Sequence, residues 1–131
     1  MMKARLQPLR IAQANERERA AFDEQMARLM RLYGAEAEFL PAITLGEAVP
    51  AEADALLLPQ IIGALFRQSA ALAADGLPVV VLTSEFGTVE MWDWEVVAYL
   101  REQAHLNVFT PYTVELARVI LRAMAARREM R

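Results

Sequence analysis

Two runs without a charge set the folding problem for this chain. Ala55-Leu56-Leu57-Leu58 and Val79-Val80-Val81-Leu82 are continuously apolar, with Pro59 closing the first and Pro78 opening the second. A strand with one wet face alternates apolar and polar residues. An unbroken apolar run suits a strand buried on both faces, as in a parallel sheet. The second run is rich in β-branched residues, which favours a central position. Parallel neighbours need a long crossover between them, usually a helix. Residues 61–74, apolar around much of a helical circumference, read as that crossover, ended by Asp75-Gly76.

The same alternation extends along the chain. Residues 9–12, after Pro8, read as a first strand. Asn15 is placed to cap the next helix, and Glu18, three residues on, completes a capping box. Phe22, Met26, Leu29, Met30 and Tyr33 form one apolar stripe at helical spacing. Gly34 suits a left-handed ending. Residues 37–40 make a weak strand stopped by Pro41, and residues 42–52 read as a connection. Thr88 is placed to cap a third helix that holds Trp92, Trp94, Val97 and Leu100. Residues 106–109 form a fifth strand. Thr113 caps a last helix, reaching about residue 128, with Val114, Ala117, Ile120, Leu121 and Met124 inward. Right-handed crossovers then predict an α/β fold: a three-layer, doubly wound, parallel five-stranded sheet of flavodoxin-like order 2-1-3-4-5. One domain spans residues 1–131.

Composition removes several chemistries. The chain has no Cys and one His, which excludes a disulfide framework, a thiolate zinc site, an iron–sulfur cluster, a cysteine nucleophile and a polyhistidine metal site. Fourteen Lys and Arg against 17 Asp and Glu give a net charge of −3, so neither nucleic acid nor an anionic membrane is an expected partner. The opening MMKARLQPLR lacks the apolar core of a signal peptide, and no apolar stretch approaches a membrane span. A soluble, cytoplasmic protein is expected. There is no strand–GxGxxG–helix for a dinucleotide and no GxxxxGK[ST] for ATP. Residues 12–16 lack the Ser/Thr-rich phosphate loop that would favour FMN.

In open α/β sheets, ligands meet the carboxyl ends of the strands. That rule selects Gln13 and Gln60, two amides able to donate and accept, as a pair suited to a sugar hydroxyl. Helix capping or simple exposure is the plainer account of both. Glu85 lies on a loop with Gly87 and could hold a ligand or act as a base. Glu90 and Asp93 are covered by the dipole of the following helix. Trp92 and Trp94, two positions apart, point in different directions, so one packs on the sheet and the other meets a groove, a partner or solvent. Gln13, Gln60 and Glu85 are expected to share one hollow. His105 reads as a helix-end residue away from the ligand face, and the arginines from Arg118 onward as a solvated helix face.

The block from Pro78 to Glu95, with its string TSEFGTVEMWDWE, resembles the N-terminal region of L-fucose/L-arabinose isomerase-like proteins. Val108-Phe109-Thr110-Pro111-Tyr112 and the helix that follows are similar too, so the resemblance covers residues 54–131. It implies a family of metal-dependent aldose–ketose isomerases. Their later domains supply the Mn2+ ligands and the acid–base groups. Their N-terminal domain packs in an oligomer and lends sugar-contacting residues to a neighbouring subunit. The chain ends where such a first domain would end. The expectation is therefore an N-terminal domain that helps assembly and the sugar site, without metal or catalytic residues of its own. Gln13, Gln60, Glu85 and Trp92 are the expected substrate-facing residues. The alternative is a stand-alone, non-catalytic module for oligomerisation or small-ligand binding.

Overall fold

Proline sets the path of the first strand. In the computed structural model, which describes residues 2–102 and 104–130, β1 (Ala4–Arg10) runs straight through Pro8 rather than starting after it. Pro8 lacks an N–H, so it is tolerated in a central strand only where no acceptor waits. That condition is met here. Beside β1 lie β2 (Ala37–Phe39), paired from Ala4 to Leu6, and β3 (Ile43–Thr44), paired at Leu9 and Arg10. Pro8 faces the gap between them. The buried Gln7 amide closes that gap, its Nε2 donating to the carbonyls of Pro8 and Pro41, both at 2.9 Å. The short β3 replaces part of the connection expected over residues 42–52.

The two apolar runs behave as their composition requires. β4 (Ala55–Leu58) pairs with β1 on one side and with β5 (Val79–Val81) on the other, and β5 pairs with β6 (Val108–Phe109). The order is β2-β1-β4-β5-β6, with β3 also on β1, and every pairing among these strands is parallel. Successive side chains of β4 enter two different apolar clusters. Leu57 joins Leu6 and Val80 against Phe22, Leu29 and Tyr33 of α1 (Glu16–Tyr33) and Leu121 of α4 (Val114–Glu129). Leu56 and Leu58 join Val79 and Val81 against Leu72 of α2 (Ser69–Ala73) and Val97 and Leu100 of α3 (Trp94–Glu102). Among the described residues the result is an α/β fold with a parallel sheet and four α-helices.

Helix ends show where local chemistry prevailed. Asn15 and Glu18 form the expected capping box, at 2.8 and 2.9 Å. Thr113 caps α4, accepting from the Leu116 N–H at 3.0 Å. Gly34, by contrast, is right-handed at φ −60°, and its value is steric: a Cβ there would lie 2.9 Å from the Met30 carbonyl. Met30 itself is exposed, and Gln25 takes a buried place on that stripe. The helix expected over residues 61–74 is a 3-10 segment, Gly63–Gln68, followed by the short α2. Ile62 offers no side-chain cap, so the leading turn tightens into i→i+3 bonding.

Thr88 does not cap the third helix. Ser84 holds it instead, with the two hydroxyl oxygens 2.9 Å apart and the Thr88 N–H donating to Ser84 Oγ at 3.0 Å. Glu90 takes over the capping role, its carboxylate accepting from the Met91 N–H at 3.0 Å. A 3-10 turn, Met91–Asp93, then leads into α3. The last strand is shorter than the expected residues 106–109, because the Leu106 N–H returns to the Leu100 carbonyl of α3 at 3.0 Å.

Candidate functional site

Where β4 and β5 end, their chains diverge, and α1 crosses alongside. The space left is a polar cleft of about 270 Å³. Pro59, Gln60 and Ile61 line it after β4, Thr83 after β5, Asp93 from the 3-10 turn, and Glu24, Gln25 and Arg28 from α1. Gln25 is the anchor. Its buried Nε2 donates to the carbonyls of Leu82 at 2.7 Å and Ser84 at 2.9 Å, groups that β5 no longer pairs. Its Oε1 accepts from the Arg28 guanidinium, which also reaches Glu24 at 3.4 Å. A chain of polar contacts thus fixes the cleft wall from backbone to surface.

Opposite this wall stands Asp93. Burial pushes its carboxyl above the ordinary value, a hydrogen bond with the Thr83 side chain works against that shift, and nearby Glu90 adds to it. Thr83 Oγ1 also accepts from the Glu90 N–H at 2.9 Å. Gln60 donates one amide N–H to the Glu18 carbonyl at 2.8 Å. Its orientation is thereby set, and its other N–H and its Oε1 make no further hydrogen bond among the described residues. The cleft combines a desolvated carboxyl, a hydroxyl, an amide and a guanidinium. That mixture of donors and acceptors suits a ligand rich in hydroxyl groups.

The common hollow expected of Gln13, Gln60 and Glu85 is not what the structure shows. Gln60 lines the cleft. Gln13 lies in a second hollow of about 380 Å³ with Ala64, Arg67 and Gln68, its Oε1 accepting from Gln68 Nε2 at 2.7 Å. Glu85 is exposed on the Ser84–Thr88 loop, and Trp92 is 85% exposed; neither lines either hollow. Trp94 is the inward indole. It packs in the second apolar cluster, 5.6 Å from the Tyr112 ring. His105 is exposed and adopts φ 56° just after α3, away from the cleft.

The arginines of α4 are not one solvated face. Arg118 pairs with Glu36 at 3.6 Å. Arg128 pairs with the buried Asp54 and donates to the Lys3 carbonyl at 2.9 Å. Asp54 also accepts from the Arg5 N–H at 2.7 Å, so this carboxylate ties the end of α4 to the start of the sheet.

Gln25, Arg28, Thr83 and Asp93 line the cleft but were not among the residues expected to face a ligand. One signal was present: Gln25 stands three residues after Phe22 and four before Leu29, a polar residue on the buried stripe. A buried amide needs partners, and here they are the carbonyls that end a strand. Asp93 carried no such mark, because a carboxylate early in a helix has an ordinary electrostatic reason to be there.

Among the described residues no group of three or more His, Cys, Asp or Glu side chains is placed to hold a metal ion. Among them, too, no helix is long and apolar enough to cross a membrane. Comparisons with protein-family models, with curated proteins and with solved structures find no match.

Proposed function

We propose that this chain is the N-terminal, flavodoxin-like, three-layer domain of a cytoplasmic L-fucose/L-arabinose isomerase-like protein. In this reading the chain binds a small sugar and takes part in a homo-oligomer. The Mn2+ chemistry of aldose–ketose isomerisation belongs to domains outside it. The observation that carries the sugar assignment is the half-buried Asp93 beside Thr83, facing Gln60 across a cleft at the carboxyl ends of β4 and β5. The string TSEFGTVEMWDWE, on which the resemblance rests, contains both Thr83 and Asp93.

A sugar offers vicinal hydroxyls that each donate and accept. Asp93 would accept from one, Gln60 would donate to a neighbour and accept from it, and Arg28 would donate to a ring or carbonyl oxygen. These contacts replace the water that a desolvated carboxyl lacks, which makes binding favourable at that point. Glu85 and Trp92 would then face a neighbouring subunit rather than this cleft, and Gln13 would serve the second hollow. The stand-alone assembly module remains the second reading. It is favoured by one observation, the exposure of Trp92 beside the exposed Met91.

Backbone and side-chain amide NMR during titration with L-fucose and L-arabinose tests the sugar assignment. Shifts centred on the Gln60 amide, Thr83 and Asp93 are expected, lost in Asp93→Asn. An unperturbed spectrum, or shifts confined to Gln13 and Gln68, would overturn it.

A further inference from the structure

Trp92 is the most exposed aromatic residue of this fold, and its neighbour Met91 and Phe86, six residues earlier, are exposed as well. Soluble proteins rarely leave such a cluster uncovered, and Trp is enriched among the residues that anchor interfaces. The cluster is also acidic. Glu85, Glu90 and Glu95 flank it, and no Lys or Arg occurs between Arg67 and Arg101.

A complementary surface lies toward the other end of the molecule. Pro78 precedes β5, whereas the Trp92 turn follows β5, so the two features sit toward opposite ends of that strand. Pro78, Phe109, Val119, Ile120, Ala123 and Arg127 line a groove of about 210 Å³ between α4 and the outermost strand β6. Its walls are apolar except for Arg127 at its edge, and Arg122 is exposed on the same helix. A cavity of roughly 150 Å³ accepts a benzene ring, so this groove has room for an indole.

We infer that the partner of this groove is a second copy of the chain, whose Trp92 enters it while Glu85, Glu90 and Glu95 face Arg122 and Arg127. The inference deepens the assembly part of the reading above and does not involve the sugar cleft. Charge decides the mode. Two acidic Trp92 rims placed face to face would repel, whereas rim against groove is attractive. The interface is therefore heterologous, with two different surfaces in contact, and it repeats from copy to copy.

Sedimentation velocity on the wild type, Trp92→Ala, Val119→Asp and their equimolar mixture tests this. Both residues are exposed, so both variants should keep the wild-type circular dichroism and Tm. The wild type is expected to assemble as concentration rises, and each variant alone to lose at least tenfold in association constant. The mixture is expected to form a two-chain species and nothing larger, because one intact Trp92 meets one intact groove. A wild type that stays monomeric would remove both this inference and the assembly reading. An assembled Val119→Asp, or a mixture that stays monomeric, would leave assembly standing and remove the groove as its partner.

Discussion

The Tyr33 hydroxyl donates to the Gly87 carbonyl at 2.7 Å, joining the last turn of α1 to the loop that leads from β5 toward the cleft. Both groups are buried. Gly87 holds φ +79°, and a Cβ on it would lie 2.8 Å from Leu32 Cδ2 and 3.3 Å from the Tyr33 ring. The contact therefore fixes the loop in a backbone state that other residues resist.

Tyr33→Phe should cost about 1–3 kcal/mol, because the Gly87 carbonyl stays buried without its donor. Burial, the largest cause, pushes the Tyr33 phenol from 10.0 up to about 12; Arg118 opposes that rise, and Glu115 and Glu36 add to it. The raised value has a definite sign. Above pH 10 the unfolded chain loses the phenolic proton first, so the folded state's advantage is whole below that pH and declines as pH climbs toward 12. Urea unfolding of both proteins at pH 8 and pH 11 checks this: the gap between them should shrink at the higher pH. An equal gap at the two values would show that the phenol is not held this way.

Arg128→Ala should destabilise the fold by roughly 3 kcal/mol, since it strands the buried Asp54 carboxylate. Arg128→Lys should recover only part of that, because a single ammonium cannot replace a planar fork that reaches both Asp54 and the Lys3 carbonyl. Chemical denaturation of the two variants measures the difference. Equal stability for wild type and Arg128→Ala would show that the bond from the Arg5 N–H is enough for Asp54.

Much of the sheet was legible because its signals were local and unopposed. Leu56, Leu57 and Val80 had one reading, strands wet on neither side. Asn15, Glu18 and Thr113 capped as their spacing required. Other features depended on partners distant in sequence. Pro8 reads as a strand breaker until the gap between β2 and β3 is known. Thr88 reads as a cap until Ser84 is seen to hold it. The site shows the same division. Gln60 was selected by its place after a strand, but the residues that give it company come from α1 and from a turn beyond β5. Gln13, chosen by the same rule, packs against Gln68 instead.

Asp93→Asn should stabilise the chain at neutral pH. Its carboxyl is raised above the ordinary 3.8, so the folded state holds the proton more tightly than the unfolded one. Stability then falls as pH rises from 3.8 through the folded value, and the penalty is carried by the ionised form. An amide of the same shape carries no such penalty. Thermal unfolding at pH 3 and pH 7 tests the sign: the variant should gain relative to wild type only at pH 7. A variant less stable at pH 7 would mean that the ionised carboxylate is favoured by its surroundings.

The most direct measurement is the titration of the Asp93 side-chain carboxyl carbon by NMR, with and without saturating L-fucose or L-arabinose. A hydroxyl donating to the carboxylate stabilises its charged form, so the account predicts a value above 3.8 in the free protein that moves downward when sugar binds. A carboxyl that titrates at its ordinary value and ignores both sugars would contradict it.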